Sequence, residues 1–217
     1  MLYIVATPIG NLEDITFRAV EVLKNVEKVY CEDTRRTRIL SARFGVTTPL
    51  ESFHHYSDGK ITQIVKDLQN GADFAYVSDA GTPGIADPGG KLVEAAQQAG
   101  VQVVPIPGPS AVTALLSVAG VYANQFRFAG YVPTKKGRQT FVKKLIASDE
   151  PVVFFETAPR IQKFFDQVIE LGGAELEFVA GRELTKKFEE IKRGYPAELK
   201  EDYQDPKGEF VLVSVPR

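Results

Sequence analysis

The chain has 217 residues, 44% hydrophobic and 25% charged, a composition typical of a globular protein large enough for one large or two small domains. Its 26 lysines and arginines against 28 aspartates and glutamates give a formal net charge of −2, which disfavours a large nonspecific nucleic-acid surface. Any contact with nucleic acid must then come from a local basic patch. The single cysteine excludes an intrachain disulfide, and without spaced Cys or His pairs we expect no metal site.

The apolar segments are all short. The sequence opens on a strand-like run without a basic leader, and no segment approaches the ~18–20 apolar residues of a membrane span. We therefore expect a soluble, cytoplasmic protein with no membrane association. Cys31 ends an apolar stretch, and only the adjacent His54 and His55 could pair with it, which favours a buried strand position over a nucleophile.

In the first half of the chain, short apolar runs alternate with amphipathic stretches. We predict buried strands of a parallel sheet at residues 2–6, 26–31, 74–78 and 101–106. Apolar residues at helical spacing lie between them; one helix is capped by Asp14 or Thr16, and another is capped by Thr34 and ends at Gly45. This alternation indicates an α/β sheet with right-handed crossovers.

After Gly120 the strands lie closer together in sequence, which indicates a mixed sheet. We predict strands at residues 126–131, 152–156, 178–182, 189–194 and 209–215, and helices at residues 136–147 and 161–171. The fold class is therefore α/β with two domains, residues 1–120 around a parallel sheet and residues 121–217 around a mixed sheet. Ligands often bind in the cleft between two such domains.

Three loops rich in glycine and proline follow predicted strands, at residues 7–12, 78–85 and 107–111. In an open parallel sheet, ligands bind outside the carboxyl ends of the strands. Glycine lets the backbone approach a ligand, and proline lowers the ordering cost of binding. No G-x-G-x-x-G or G-x-x-x-x-G-K-[ST] fingerprint is present, which favours a ligand with adenine, ribose and a zwitterion over a phosphate-dominated one. The alternative is that the loops are only tight strand–helix turns.

Three polar segments also follow predicted strands, at residues 32–38, 156–160 and 182–187. In the first, two carboxylates precede a helix, and three arginines lie in its first turns, where they oppose the helix dipole unless they meet phosphate or carboxylates. Each segment has the acids, hydroxyls and bases of an active-site wall, and each is also compatible with a solvated surface.

In combination these segments resemble the ribosomal RNA small-subunit methyltransferase I family, a member of the tetrapyrrole-methylase-like class. The matching motifs run in order across nearly the whole chain: YIVATPIGNLEDIT from residue 3, EDTR from 32, SDAGTP from 78, PGPSA from 107, RELTK from 182 and GEFVLV from 208. The resemblance implies a two-domain tetrapyrrole-methylase-like fold, S-adenosylmethionine in the cleft, and a homodimer. It also implies 2′-O-methylation of a cytidine in the decoding region of 16S (small-subunit) ribosomal RNA, free or in an assembled subunit.

By the same resemblance, a set of residues is expected to contact the cofactor. They are Ile9, Gly10, Asp79, Gly81, Thr82, Ile85, Ser110 and Ala111, with Phe155, Ala180 and Gly208 from the second domain. A bulky residue at Gly81 is expected to abolish cofactor binding while leaving the fold intact.

Methyl transfer from a sulfonium is an in-line displacement, so the protein must align the reacting atoms and help remove the hydroxyl proton. Glu32 or Glu183 could accept this proton, or could instead be locked in an ion pair; Arg35 or Lys186 could stabilise the developing oxyanion. We predict an RNA-binding basic rim formed by Arg35, Arg36, Arg138 and Lys186 with Lys135 and Lys136 beside them.

Two departures from the family pattern are expected to matter. Family members commonly continue into a small helical extension where this sequence ends, and they tend to have histidine before arginine where this chain has Pro159 and Arg160. His54 and His55 lie where the family usually has histidine, which leaves an RNA-facing role open. The rival functions are methylation of a small tetrapyrrole-like molecule, against which the two cation-rich motifs argue, and an inactive module that senses the cofactor.

Overall fold

The chain folds into two compact units in its computed structural model, which describes residues 1–53, 58–87 and 89–216. The units are Met1–Ser110 and Ala111–Arg217. The division falls before the predicted boundary at residue 120, because the helix Ala111–Val118 packs against the strand Glu209–Val215 of the second unit.

The first unit contains a five-stranded sheet in the order β3-β2-β4-β1-β5, with every pair parallel. Its strands are β1 (Leu2–Val5), β2 (Lys28–Cys31), β3 (Leu50–Ser52), β4 (Phe74–Val77) and β5 (Val103–Ile106). Its helices are α1 (Phe17–Asn25), α2 (Thr34–Phe44), α3 (Asp58–Gln69) and α4 (Gly89–Gln98), with a 3₁₀ turn at Leu12–Asp14.

The helix ends follow local hydrogen-bonding rules. Thr16 caps α1 by accepting a hydrogen bond from the Ala19 N–H, which decides between the two predicted caps. At α2 the cap is Asp33 and not the predicted Thr34, because the Asp33 carboxylate accepts the Arg35 N–H. Gly45 ends α2 in the left-handed conformation, as predicted.

The parallel sheet is covered on both faces. Leu23 of α1 and Leu40 of α2 belong to one core cluster, while Leu68 of α3 and Leu92 of α4 belong to the other. Burial on both faces explains why these strands are continuous apolar runs, Phe74–Val77 being buried at every position.

The second unit contains a mixed five-stranded sheet in the order β6-β7-β10-β8-β9, in which β6 and β7 are parallel and the other pairs antiparallel. Its strands are β6 (Arg127–Tyr131), β7 (Val152–Thr157), β8 (Glu177–Arg182), β9 (Glu190–Gly194) and β10 (Glu209–Val215). Its helices are α5 (Ala111–Val118), α6 (Arg138–Ile146), α7 (Ala158–Glu170) and α8 (Pro196–Asp202). The predicted fold class, a parallel sheet followed by a mixed one, is confirmed.

An aromatic core holds the second unit together. Phe154 and Phe178 from the sheet pack against Phe164 and Phe165 of α7, with ring centroids 5.2 to 6.0 Å apart. Each such ring contributes about 1.5–3 kcal/mol by burial. Within the described part of the chain, no helix has the length and apolarity that a membrane crossing requires.

Candidate active site

The three glycine- and proline-rich loops of the first unit meet at one edge of its sheet, because β4, β1 and β5 are neighbours. The β1 and β4 loops form a short antiparallel bridge: the Thr7 N–H donates to the Gly81 carbonyl at 3.0 Å, and the Gly81 N–H donates to the Thr7 carbonyl at 2.9 Å. The Thr82 hydroxyl then donates to the Pro109 carbonyl of the β5 loop at 3.0 Å. The loops are therefore fastened to one another as well as adjacent.

Gly81 lies where the three loops meet. Its φ of +79° lies in the left-handed region, and an added Cβ would stand 3.3 Å from the Ile9 side chain. A side chain here would press against both neighbouring loops, because Gly81 is buried and its Cβ position also lies 3.6 Å from the Pro109 carbonyl oxygen. It would also strain the loop itself. The expectation that a bulky residue at Gly81 leaves the fold intact is therefore corrected.

The polar segment after β2 is fastened to the β4 loop by its carboxylates. The Asp79 N–H donates to the Glu32 carboxylate at 3.0 Å, and the Asp33 N–H donates to the Asp79 carboxylate at 2.9 Å. Arg36 pairs with the other Asp79 oxygen at 3.4 Å. Four consecutive loops along this edge, after β2, β4, β1 and β5, therefore form one connected surface.

Arg35 is held by the residue that caps its own helix. Its guanidinium donates to both oxygens of Asp33, at 3.0 and 2.7 Å, and these hydrogen bonds hold the pKa of Asp33 well below its ordinary value. The pairing relieves the conflict between an arginine and the positive end of a helix. Because 85% of the Arg35 side chain is exposed, it faces solvent and is not a preorganised donor in a dry site.

At the corresponding edge of the second unit, Glu183 and Lys186 form an ion pair at 2.7 Å. The Glu183 carboxylate also accepts the Glu209 N–H, and a Cβ at Gly208 would collide with it. Partial burial opposes ionisation, but the hydrogen bonds from Lys186 and from the Glu209 N–H outweigh it and lower the pKa of Glu183.

This turn is also strained, because both Glu183 and Thr185 adopt positive φ values, 49° and 65°. Such strain is characteristic of functional sites, where the surrounding structure imposes it.

Arg138 does not belong to an exposed basic rim. It is only 4% exposed, and its guanidinium pairs at 3.0 Å with Glu156, which is fully buried. Arg160 contacts the other Glu156 oxygen at 2.5 Å, and the Arg138 Nε donates to Gln167. Helix α6 begins at Arg138, so its side chain points back into the unit against α7. The prediction that Arg138 contacts RNA is therefore corrected.

The other predicted site residues fall into different environments. Gly10, Ile85, Lys135 and Lys136 are exposed. A further group is partly buried: Ile9, Asp79, Thr82, Ser110, Ala111 and Phe155. Ala180 is fully buried in the second core, and its carbonyl accepts the Tyr203 hydroxyl, so its side chain cannot contact a cofactor; this placement is also corrected.

Cys31 is fully buried in β2, as predicted, and burial raises the pKa of its thiol. His54 and His55 lie outside the described residues.

Sequence reasoning missed Asp87. Its two carboxylate oxygens accept the N–H groups of Gly84 and Gly89, at 2.7 and 2.8 Å, and so organise the end of the β4 loop. An aspartate followed by proline and glycine is an available signal for such a turn.

Comparison with known proteins gives a consistent result. The family model for Tetrapyrrole (Corrin/Porphyrin) Methylases matches residues 1–200. The chain is 43% identical to the "Ribosomal RNA small subunit methyltransferase I" of Mesorhizobium japonicum, over 99% of this chain and 75% of that protein. It is 42% identical to the protein of the same name from Escherichia coli O157:H7, over 98% and 76%, and 40% identical to that of Thermotoga maritima, over 98% and 96%.

Among solved structures, the chain resembles diphthine synthase with a TM-score of 0.76 at 18% identity, over 99% of this chain and 89% of that one. It also resembles the uroporphyrin-III-C-methyltransferase of Thermus thermophilus with a TM-score of 0.66 at 16% identity, over 98% and 93%. At these identities the two structures show a shared fold.

Proposed function

The chain belongs to the ribosomal RNA small subunit methyltransferase I family, and on that premise we propose that it methylates a cytidine 2′-hydroxyl in the decoding region of small-subunit ribosomal RNA. The methyl donor is S-adenosylmethionine, whose sulfonium supplies an already activated methyl group. The observation that carries the proposal is the connected edge of four loops, which contains four of the six motifs shared with the family.

The residues that would hold the cofactor are those of the fastened loops. The exposed Gly10 allows a ligand to approach the backbone closely, and Ile9 and Ile85 offer apolar surface at the same edge. Asp79, Thr82 and Ser110 complete the set in the first unit; the cofactor contacts expected at Ala111, Phe155 and Gly208 of the second unit stay predictions. Preformed loops bind with a low ordering cost, which suits a flexible zwitterionic ligand.

The two candidate proton acceptors, Glu183 and Glu32, lie in different environments. Glu183 carries a lowered pKa and already accepts Lys186, so it is a weak proton acceptor and a good anchor for that ammonium. Lys186, two-thirds buried, is then held where it can stabilise developing negative charge. Glu32 remains the candidate proton acceptor on the first unit, held by the Asp79 N–H.

The exposed cations supply the RNA contacts in this proposal. Arg35 and Arg36 on the first unit, and Lys135 and Lys136 on the second, are solvent-facing and suited to phosphate. We also propose a homodimer that works in the cytoplasm, as the family resemblance implies.

The test is a transfer assay with radiolabelled S-adenosylmethionine and three acceptors: assembled small subunits, free small-subunit RNA and a tetrapyrrole. We expect label in RNA, and its loss when the target ribose is replaced by 2′-deoxyribose. Label in the tetrapyrrole alone, or label that survives the deoxy substitution, would contradict the proposal. The same preparation should sediment at about twice the 23.9 kDa chain mass, and a monomer would refute the dimer.

A further inference from the structure

Three aromatic rings form a cluster at the β6 edge of the second sheet. The ring centroid of Phe155 lies 5.2 Å from that of Phe128 and 5.1 Å from that of Tyr131. Phe128 and Phe155 are partly buried, whereas Tyr131 is 50% exposed. The cluster therefore presents one half-open ring, supported from beneath by two others.

Strand geometry explains which face carries the cluster. Successive side chains of a strand point to opposite faces, and Phe154 belongs to the core formed with α6 and α7. Phe155 therefore lies on the other face of the sheet. On that face α5 packs near the centre, where a Cβ at Gly181 would stand 3.0 Å from Leu115, and Phe155 lies away from it, next to the edge strand β6.

A bulge in β6 brings the third ring onto this face. Phe128 and Tyr131 are three positions apart, so a regular strand would point them to opposite faces. The pairing with β7 shifts register between them, and Gly130 adopts a positive φ of 66°. The extra residue places Tyr131 on the same face of the sheet as Phe128, where it pairs across the strands with Phe155. Bulges that re-aim a side chain in this way are frequent beside active sites.

Charged groups surround the exposed ring. Burial raises the pKa of the Tyr131 hydroxyl, with Glu209 adding to the effect and Arg160 opposing it, so the hydroxyl lies within electrostatic range of both. Glu209 in turn contacts Lys186 at 3.5 Å. Lys135 is exposed and only four residues beyond Tyr131, so their Cα atoms are at most about 14 Å apart. A half-exposed ring with lysines on neighbouring segments is compatible with a base and its flanking phosphates.

We propose that Tyr131 is a stacking platform for an unpaired base of the substrate RNA. The proposal rests on the proposed function and adds to it that the target segment is read as single-stranded, with one base stacked against the second unit. A base stacks on an aromatic ring without regard to sequence, and a ring already held by its neighbours loses little freedom on binding. The neighbouring cations favour RNA over the adenine of the cofactor.

The first experiment measures RNA affinity, KM and kcat for Tyr131→Ala, Tyr131→Phe and Tyr122→Ala. Stacking on one aromatic ring corresponds to an affinity change of roughly 5- to 150-fold, so we expect Tyr131→Ala to weaken RNA binding and raise KM by that factor. Tyr131→Phe should retain most of the affinity because it keeps the ring. Tyr122 is 97% exposed in the same unit and is the matched control, expected to behave as wild type. Cofactor affinity should be unchanged in Tyr122→Ala and should change less than RNA affinity in Tyr131→Ala, whose lost ring contacts Phe155.

The second experiment identifies the stacked base. Abasic sites are placed one at a time at the target nucleotide and at two positions on either side, and each RNA is titrated with wild-type protein and with Tyr131→Ala. At one position, an abasic site should weaken wild-type binding by the same factor by which Tyr131→Ala weakens binding to intact RNA. At that position the abasic site should not weaken the binding of Tyr131→Ala any further. The wild-type half of this scan does not depend on the folding of any variant.

The outcomes separate the two proposals. Wild-type turnover on RNA tests the proposed function by itself. If the wild type methylates RNA and Tyr131→Ala binds RNA equally well, or if no abasic position weakens the wild type, the platform alone is overturned. A loss of cofactor affinity in Tyr131→Ala with unchanged RNA affinity would assign the ring to the cofactor and also overturn it. A wild type that neither binds nor methylates RNA would overturn both.

Discussion

At the carboxyl edge of the first sheet, the β1 and β4 loops are joined to each other through backbone groups, by the paired hydrogen bonds between Thr7 and Gly81. At the corresponding edge of the second sheet, side-chain charges perform that function, with Glu156 between two arginines and Glu183 against Lys186. Backbone fastening depends on conformation, whereas charge fastening depends on having both partners ionised in place. The two edges should therefore respond differently to the same kinds of substitution.

The largest effect is expected from removing the buried charge at Glu156. In Glu156→Gln, Arg138 keeps its charge at 4% exposure without a carboxylate partner. Leaving one member of a buried pair uncompensated costs about 3–5 kcal/mol, which urea unfolding should register as a loss of unfolding free energy. Glu177→Gln is the control, because its partner Arg193 is 44% exposed and such a pair contributes at most about 1 kcal/mol. Equal losses in the two variants would show that the cluster does not hold this edge.

An intermediate effect is expected at the first edge from Gly81→Ala. The left-handed conformation costs an L-residue about 1–2 kcal/mol. Gly100→Ala is the matched control, because Gly100 has a φ of 72° against 79° for Gly81 but has open space around its Cβ position. Thermal unfolding should show a similar loss of unfolding free energy in both variants, because both place a side chain at a positive φ. Gly81→Ala should lose somewhat more, because its Cβ also presses against Ile9.

Calorimetric titration should then show weaker S-adenosylmethionine binding for Gly81→Ala alone. Wild-type cofactor affinity in this variant would mean that the loop junction does not border the cofactor.

The smallest effect is expected from Lys186→Met, and it can be measured as a change in the pKa of the Glu183 carboxyl. Because the folded-state pKa of Glu183 lies below its ordinary value of 4.5, the ionised pair stabilises the fold above that pH and loses this contribution as the pH falls through the lowered pKa. Removing Lys186 should raise the Glu183 pKa in an NMR titration and cost at most about 1 kcal/mol at neutral pH. Lys207→Met makes the same change of charge at an exposed neighbour and should leave the Glu183 pKa where it is.

Hydrophobic periodicity was sufficient to predict most of the fold, for reasons visible in particular elements. Phe74–Val77 is apolar at every position because both faces of the sheet are covered, and α2 ends at a glycine that the left-handed cap requires. The three elements missed carry weak local signals. Strand β3 has three residues, α8 has seven, and α5 is almost uniformly apolar, without the polar face that marks a surface helix.

The order of the motifs along the chain was enough to predict which loops form the candidate site. It did not show in which direction individual side chains point. Strand-end position alone placed the loops that contain Ile9, Gly81 and Ser110 on one edge. Basic composition could not distinguish the exposed Lys135 from the buried Arg138 three residues later. Arg138 is buried because it is the first residue of α6, where its side chain turns into the unit. The bulge at Gly130, which turns Tyr131 to the other face, is likewise a property of strand pairing and not of local sequence.

Strand order has a consequence for how this chain is made. β1 lies between β4 and β5, which follow it at a distance in sequence, and β10 is inserted between β7 and β8. Each sheet therefore closes only when a strand distant in sequence arrives, and until Glu209–Val215 is translated β7 and β8 expose unpaired edges. A nascent chain that has reached only β9 therefore has all five strands of the first sheet but a second sheet that is open at its centre, an arrangement prone to aggregation.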